Sequence, residues 1–95
     1  MNRYLQGLKN GIKEVHGCDA THIKTEHVKE EFRGEVVWEG DVEIFTLHGH
    51  PKAKRAYGWG YPDGEATKYV SVLEIPPVES PVTAVRAAIR SGEQG

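Results

Sequence analysis

The stretch EVVWEGDVEIFTL at residues 35–47 alternates apolar and acidic side chains, and it is the strongest strand signal in the 95-residue chain. Side chains on a strand repeat every two residues, so neighbouring positions point to opposite faces of a sheet. One face of this strand carries Val36, Trp38, Val42 and Ile44. The other face carries Glu35, Glu39, Asp41 and Glu43. The stretch therefore predicts a strand that packs one face on a core and leaves an acidic face in solvent.

The residues before this strand predict a helix and a more polar strand. From residue 2 to residue 16 the apolar side chains recur at helical spacing, which predicts an amphipathic helix. Residues 21–32 are mostly polar, and the five-residue spacing between Ile23 and Val28 interrupts a simple alternation. That interruption predicts either a β-bulge or a polar edge strand whose charges protect the edge. Arg33 and Gly34 then supply the turn into the acidic strand.

The residues after the acidic strand predict a hairpin and a second helix. Residues 53–61 and 67–75 are rich in strand-forming side chains, and the turn-forming run PDGE at residues 62–65 joins them. Ser80 is predicted as a helix N-cap, with Pro81 at the first helical position. Apolar residues follow Pro81 at helical spacing, which predicts a short final helix.

The order of these elements predicts an α+β fold of one domain covering residues 1–95. The links between strands are too short for parallel crossovers, so the sheet is predicted to be a four-stranded antiparallel meander. Its predicted order is α-β-β-β-β-α, with the N-terminal and C-terminal helices packed on one face of the sheet. Residues 91–95 are predicted to be a disordered tail.

The overall charge, the cysteine content and the hydropathy limit the partners and the cellular compartment that we expect. The chain has 12 Lys and Arg against 14 Asp and Glu, a net charge of −2, so any nucleic-acid binding has to come from a local patch. Cys18 is the only cysteine, which excludes an internal disulfide and favours a reducing compartment. The first residues lack a signal peptide, and no stretch reaches the roughly 20 apolar residues of a membrane helix. We therefore expect a cytoplasmic protein with no membrane partner.

The basic and aromatic segment at residues 48–61 is the strongest candidate for a binding surface. Residues 46–62 contain no acidic side chain, and cations lie beside aromatic rings throughout this segment. Cations bind phosphates and aromatic rings stack on bases, so the segment predicts a small non-catalytic module that binds nucleic acid. The candidate binding residues are His48, His50, Lys52, Lys54, Arg55, Tyr57 and Trp59.

The same segment has a second interpretation, because alternation divides its strand between two faces. Tyr57 and Trp59 share a face with Arg55, and the opposite face carries Lys54 with alanine and glycine. The rings form an exposed platform if the small residues lie under the helices, and they form core if the small residues face solvent. Large apolar side chains dominate small cores, so we expect the rings in the core. In that case the loop at residues 48–52 is the part of the segment that we still expect to contact a partner.

A protein-interaction or assembly domain is the alternative function. The acidic face of the second strand and the basic third strand are complementary surfaces, and complementary charge favours association with another protein. The polar first strand, or another edge of the sheet, can pair with a strand of a partner. The sequence leaves the oligomeric state open.

Metal binding and catalysis lack a recognisable motif. Cys18, His22 and His27 have the spacing of half a zinc finger, but the chain has no pair of cysteines to complete one. His48 and His50 would need a further ligand from another part of the chain. The sequence contains neither a nucleophile motif nor a phosphate-binding loop. We expect no metal, no cofactor and no small-molecule ligand, and we favour binding over catalysis.

Overall fold

The computed structural model describes residues 4–92, which form one sheet and two helices. In chain order the elements are α1 (Leu5–His16), β1 (Asp19–Phe32), β2 (Glu35–His48), β3 (Arg55–Asp63), β4 (Ala66–Leu73) and α2 (Pro81–Ser91). All neighbouring strands are antiparallel, and the strand order is β1-β2-β3-β4. The predicted α+β meander of helix, four strands and helix is confirmed.

Two predictions fall partly on residues that the structure does not describe. The predicted start of the first helix at residue 2 lies outside the described residues, and α1 begins at Leu5. Within the predicted tail, Ser91 is the last residue of α2 and Gly92 caps the helix, whereas residues 93–95 lie outside the described residues. Neither described helix is long and apolar enough to cross a membrane.

Local signals fix the helix and hairpin ends. Ser80 and Thr83 form a capping box at the start of α2, because each side chain accepts a hydrogen bond from the backbone N–H of the other. Arg33 and Gly34 both have positive φ angles, 54° and 80°, as a two-residue hairpin turn between twisted strands requires. The register of β1 against β2 shifts between His22 and Lys24, which confirms the predicted bulge.

The two helices pack on opposite faces of the sheet, which corrects the prediction that both cover one face. Phe45 and Ala56 cluster with the buried residues of α1, whereas Ile44 and Tyr57 cluster with those of α2. Ile44 lies opposite Tyr57 and Phe45 lies opposite Ala56 in the register of β2 and β3. Because neighbouring positions on a strand point to opposite faces, each helix has its own core.

The small residues of β3 allow α1 to approach the sheet closely. A Cβ atom added to Gly58 would lie 2.9 Å from Cδ2 of Leu8, and one added to Gly60 would lie 2.6 Å from the ring of Tyr4. A larger side chain at either position would push the helix away. This close approach explains why α1 forms a second layer on the small-residue face of β3, which the sequence pattern predicts to be exposed to solvent.

The aromatic side chains of β3 lie in the core on the other face. Tyr57 and Trp59 are each only 2% exposed, in agreement with the core interpretation. The alternative of an exposed stacking platform is wrong for these two rings. Ala56 and Gly58 are buried as well, so the expectation that the small face of β3 is exposed is also wrong. Two helices, one on each face, leave the centre of β3 without a solvent-facing side.

The pairing between β2 and β3 is short. Residues 43–46 of β2 pair with residues 55–58 of β3, whereas β1 and β2 pair along nearly their whole lengths. Residues 26–42 therefore form a hairpin arm, here called the β1–β2 arm, that extends beyond the pairing with β3. Continued pairing would bring Glu39 opposite Pro62, which has no N–H to donate, and two-stranded ribbons twist more strongly than wider sheets.

Candidate functional site

A cleft lies where the β1–β2 arm separates from β3. Its volume is about 420 Å³, and it is lined by residues 37–41 of β2 and by residues 59–62 of β3. This volume falls in the range of roughly 300 to 1,000 Å³ that is usual for ligand pockets. The β2–β3 loop lies at the other end of the same two strands, so the cleft and the basic loop are separate sites.

The backbone of β2 presents hydrogen-bonding groups to this cleft. The N–H of Leu47 donates to the carbonyl oxygen of Lys54 at 2.8 Å, so the backbone groups of Leu47 point towards β3. The direction alternates along a strand, and it follows that the N–H and C=O groups of Glu39 and Asp41 also point to the β3 side. Pairing with β3 ends before these residues. An edge of this kind is a template for pairing with another chain.

One face of the cleft is aromatic. The rings of Trp38 and Trp59 meet edge to face across the gap, with their centroids 5.3 Å apart, and Tyr61 packs against the same core. The indole N–H of Trp59 is buried, and no residue in the described part of the chain accepts it. A buried donor without an acceptor costs about 1 to 3 kcal/mol. Trp59 thus lines the cleft and carries an indole N–H that has no acceptor among the described residues.

The opposite face of the cleft is acidic. The side chains of Glu39 and Asp41 are both about half exposed, and His27 of β1 lies between them. Nε2 of His27 is 2.9 Å from Oε2 of Glu39, and Nδ1 is 2.9 Å from Oδ1 of Asp41. Hydrogen bonds to Glu39 and then to Asp41 raise the pKa of His27 above its ordinary value.

Glu43 continues this acidic row into the core, against the expectation of a solvated acidic face. It is fully buried, with Nε2 of His22 at 2.8 Å from Oε1 and the hydroxyl of Thr25 donating to the same oxygen. The bulge in β1 lies between these two partners, after His22. A buried carboxylate is tolerated only with such partners, because removal from water is costly. The sequence pattern does not distinguish Glu43 from Glu39 and Asp41, because its burial depends on contacts with β1 residues 21 and 18 positions away.

The predicted contact loop is shaped by its own histidines. Nδ1 of His50 accepts hydrogen bonds from the backbone N–H groups of Lys52 and Ala53, at 3.1 and 2.9 Å. His48 is exposed, and its Nε2 lies 2.7 Å from the hydroxyl of Thr21. Both imidazoles therefore make structural contacts.

The cations of this segment have different surroundings. Lys52, Lys54 and Arg55 are exposed, and neither lysine forms an ion pair with any residue among 4–92. Burial, followed by a hydrogen bond that its hydroxyl donates to Glu74, raises the pKa of Tyr57, and the nearby Arg55 opposes this rise. The five loop-end candidates, from His48 to Arg55, thus lie in or beside the β2–β3 loop, whereas the rings of Tyr57 and Trp59 are buried in the core, Tyr57 next to Arg55. The binding role of the five stays a prediction.

The remaining nucleophilic and imidazole groups do not assemble a metal centre. Cys18 is a buried free thiol. Nε2 of His16 lies 3.4 Å from the hydroxyl of Ser71, and its ring centroid is 6.4 Å from that of His50. Burial and then the proximity of His50 lower the pKa of His16. No group of three or more His, Cys, Asp and Glu side chains within residues 4–92 is arranged to hold a metal ion.

Comparisons with protein-family models, with curated proteins and with solved structures found no match to this chain. The geometry of the cleft and of the basic loop is therefore the basis for assigning a function.

Proposed function

We propose that this protein is a non-catalytic interaction module that binds an extended segment of a partner protein in the cleft between β2 and β3. The partner strand adds to the free edge of β2, next to Glu39 and Asp41. The observation that carries the proposal is the early end of β2–β3 pairing at Glu43 and Gly58, which leaves an open cleft beside an unpaired edge. Strand addition is a common mode of peptide recognition, in which backbone hydrogen bonds supply affinity.

The expected affinity follows from the size of the site. Two cleft-facing residues on β2 offer up to four backbone hydrogen bonds, each with a net value of about 0.5 to 1.5 kcal/mol. An extended peptide loses conformational freedom when it is held as a strand, which offsets much of this gain. We expect dissociation constants on the order of micromolar. The free, buried Cys18 supports a reducing cytoplasmic location for this interaction.

Amide hydrogen exchange tests the binding mode directly. The protein is used to select binders from a display library of random dodecapeptides, and exchange is then measured with and without a selected peptide. The amides of Glu39 and Asp41 point to the cleft, so their exchange slows on binding. The amides of Gly40 and Val42 point to β1 and change little. Selected peptides that protect the outer edge of β1 or β4 instead, or a library that yields no binder, would overturn the proposal.

A proline substitution gives a matched test on the protein. Asp41→Pro removes one N–H that faces the cleft and leaves the hydrogen bonds of Gly40 and Val42 to β1 in place. Asp41→Asn removes only the charge. We expect at least a tenfold weaker binding for the proline variant than for the asparagine variant. Equal affinities for a peptide that protects the cleft amides would contradict strand addition.

Nucleic-acid binding by the loop is the second candidate, and the exposed, unpaired lysines favour it. Lys52 and Lys54 extend from one end of the sheet, beside His48 and His50. Burial of Tyr57 and Trp59 leaves phosphate contact as the main mode, which predicts weak and strongly salt-dependent binding. The test is fluorescence anisotropy with labelled single-stranded and duplex oligonucleotides in low salt. Loss of affinity in Lys52→Ala/Lys54→Ala supports the candidate, and undetectable binding by the unmodified protein excludes it.

A further inference from the structure

The two faces of the cleft have different chemistry. Glu39 and Asp41 lie at odd positions of β2, on the face that α1 covers further along the strand. Trp38 lies at an even position, on the face of α2, where it meets Trp59. A strand inserted beside β2 also points its side chains alternately to these two faces. The side chains of one partner strand thus meet carboxylates and indole rings in turn.

We propose that the cleft selects a partner strand in which basic residues alternate with apolar residues. The proposal rests on the strand addition proposed above, and it names the chemistry of the partner. A lysine or arginine on the acidic face lies beside two carboxylates, and opposite charges on neighbouring strands attract each other. An apolar side chain on the other face covers the indole ring of Trp38, which is only half-buried in the free protein.

A second copy of this chain is a poor occupant of the same edge. Two β2 edges side by side would place the acidic row of one copy next to the acidic row of the other, and like charges on neighbouring strands repel. The unbound protein is therefore expected to be monomeric at this edge. A partner segment with cations at alternate positions has the complementary charge.

The charges around the acidic face define how pH affects this binding. His27 bridges Glu39 and Asp41, and Lys29 lies opposite Glu39 in the register of β1 and β2, with its ammonium 3.6 Å from a carboxylate oxygen of Glu31. A protonated His27 offsets part of the negative charge of both carboxylates, which weakens their attraction for a partner cation. Loss of that proton leaves both carboxylates available, so binding of a basic strand tightens as pH rises.

Three synthetic peptides test the proposed selectivity by calorimetry. The first alternates, acetyl-Thr-Val-Lys-Val-Lys-Val-Thr-amide; the second carries Glu in place of each Lys; and the third groups the same residues as Val-Val-Val-Lys-Lys. We expect the alternating basic peptide to bind at least tenfold more tightly than either control. Binding of the acidic or grouped peptide with equal affinity would overturn the selectivity.

Charge-neutral variants assign the effect to the cleft. Glu39→Gln/Asp41→Asn removes both cleft carboxylates and should weaken binding of the alternating peptide roughly five- to tenfold. Glu26→Gln/Glu35→Gln removes the same charge from exposed positions of the arm outside the cleft and leaves the ion pair of Lys29 intact, so it serves as the matched control. Equal losses in the two variants would indicate general attraction to an acidic protein and would overturn the proposal.

The pH profile and amide exchange separate this inference from the proposed function. Between about pH 6 and about pH 9 the peptide lysines stay charged. Tighter binding at the higher pH, absent in His27→Gln, supports a site next to His27, and a pH-independent affinity contradicts it.

Protection of the Glu39 and Asp41 amides by an acidic or uncharged peptide would keep the strand-binding function and refute the basic preference. Concentration-dependent self-association that protects the same amides would identify a second copy as the occupant and refute both.

Discussion

The two halves of β2 have the same alternating sequence and opposite surroundings. Residues 43–47, the closed half, pair with β1 on one side and β3 on the other, and helices cover both faces. Residues 35–41, the open half, pair with β1 alone, and none of them is fully buried. Alternation sets the face that a side chain takes, whereas neighbouring elements set whether that face is buried. A single strand thereby provides the centre of the fold and the edge that we propose as a binding site.

The largest expected difference between the two halves concerns aromatic side chains. Phe45 of the closed half is completely buried under α1, so Phe45→Ala should lower the free energy of unfolding by about 3 to 5 kcal/mol. Phe32 lies opposite Glu35 of the open half and is 62% exposed, with the guanidinium of Arg33 over its ring. Phe32→Ala should cost no more than about 1 kcal/mol. Urea denaturation measures both values.

The pair of phenylalanine variants also tests the extent of the core. A loss of several kcal/mol in Phe32→Ala would mean that the hairpin end is packed in solution, for example against a second molecule. In that case the loss should depend on protein concentration.

The acidic residues of the two halves give the next largest contrast. Glu43→Gln keeps the shape of the side chain but weakens charge-assisted hydrogen bonds to His22 and Thr25 in a buried site, so we expect a loss of about 1.5 to 3 kcal/mol. Glu39→Gln changes a half-exposed carboxylate and should cost no more than about 0.5 kcal/mol. Chemical denaturation at neutral pH distinguishes them. Equal, small losses would show that the surroundings of Glu43 are wetter than the fold suggests.

Local signals explain the parts of the fold that the sequence predicts well. Such signals determine the backbone conformation of only a few neighbouring residues. Examples are Ser80, Pro81 and the turn at Arg33, and each lies where the sequence pattern predicts it. The strand β3 begins at residue 55 rather than at residue 53, because His50 holds Lys52 and the following residue in a loop. That contact is equally local, but a histidine acting as an acceptor for backbone groups has no distinctive sequence pattern.

Contacts between distant elements explain the parts that the sequence does not predict. The placement of α1 depends on Leu8 meeting Gly58, and alternation within β3 does not say which element will cover its small face. The burial of Glu43 depends on contacts with side chains from β1 that are distant in the sequence, so its sequence neighbours do not distinguish it from Glu39. The cleft depends on how far β2 and β3 pair, and Pro62 is a local signal that favours the end of this pairing.

The smallest expected contrast is the pH dependence of two histidines near opposite ends of the sheet. Close to the open half, His27 has a raised pKa because Glu39 and then Asp41 hydrogen-bond to it. Near the β2–β3 loop, His16 has a lowered pKa because of burial and then the proximity of His50. An NMR titration of the imidazole protons should therefore show His27 titrating above pH 6.5, the ordinary value, and His16 below it.

The two shifts act on stability with opposite signs. The folded state holds the His27 proton more tightly than the unfolded state, so the stability that His27 adds relative to His27→Gln is complete below pH 6.5 and is lost as pH rises through the raised pKa. The folded state holds the His16 proton less tightly, so relative to His16→Gln stability is lost as pH falls from 6.5 through the lowered pKa. Urea denaturation of both variants at about pH 5 and about pH 8 measures these differences. If the stability that each histidine adds changed in the same direction with pH, the result would contradict the opposite surroundings of His27 and His16 in the structure.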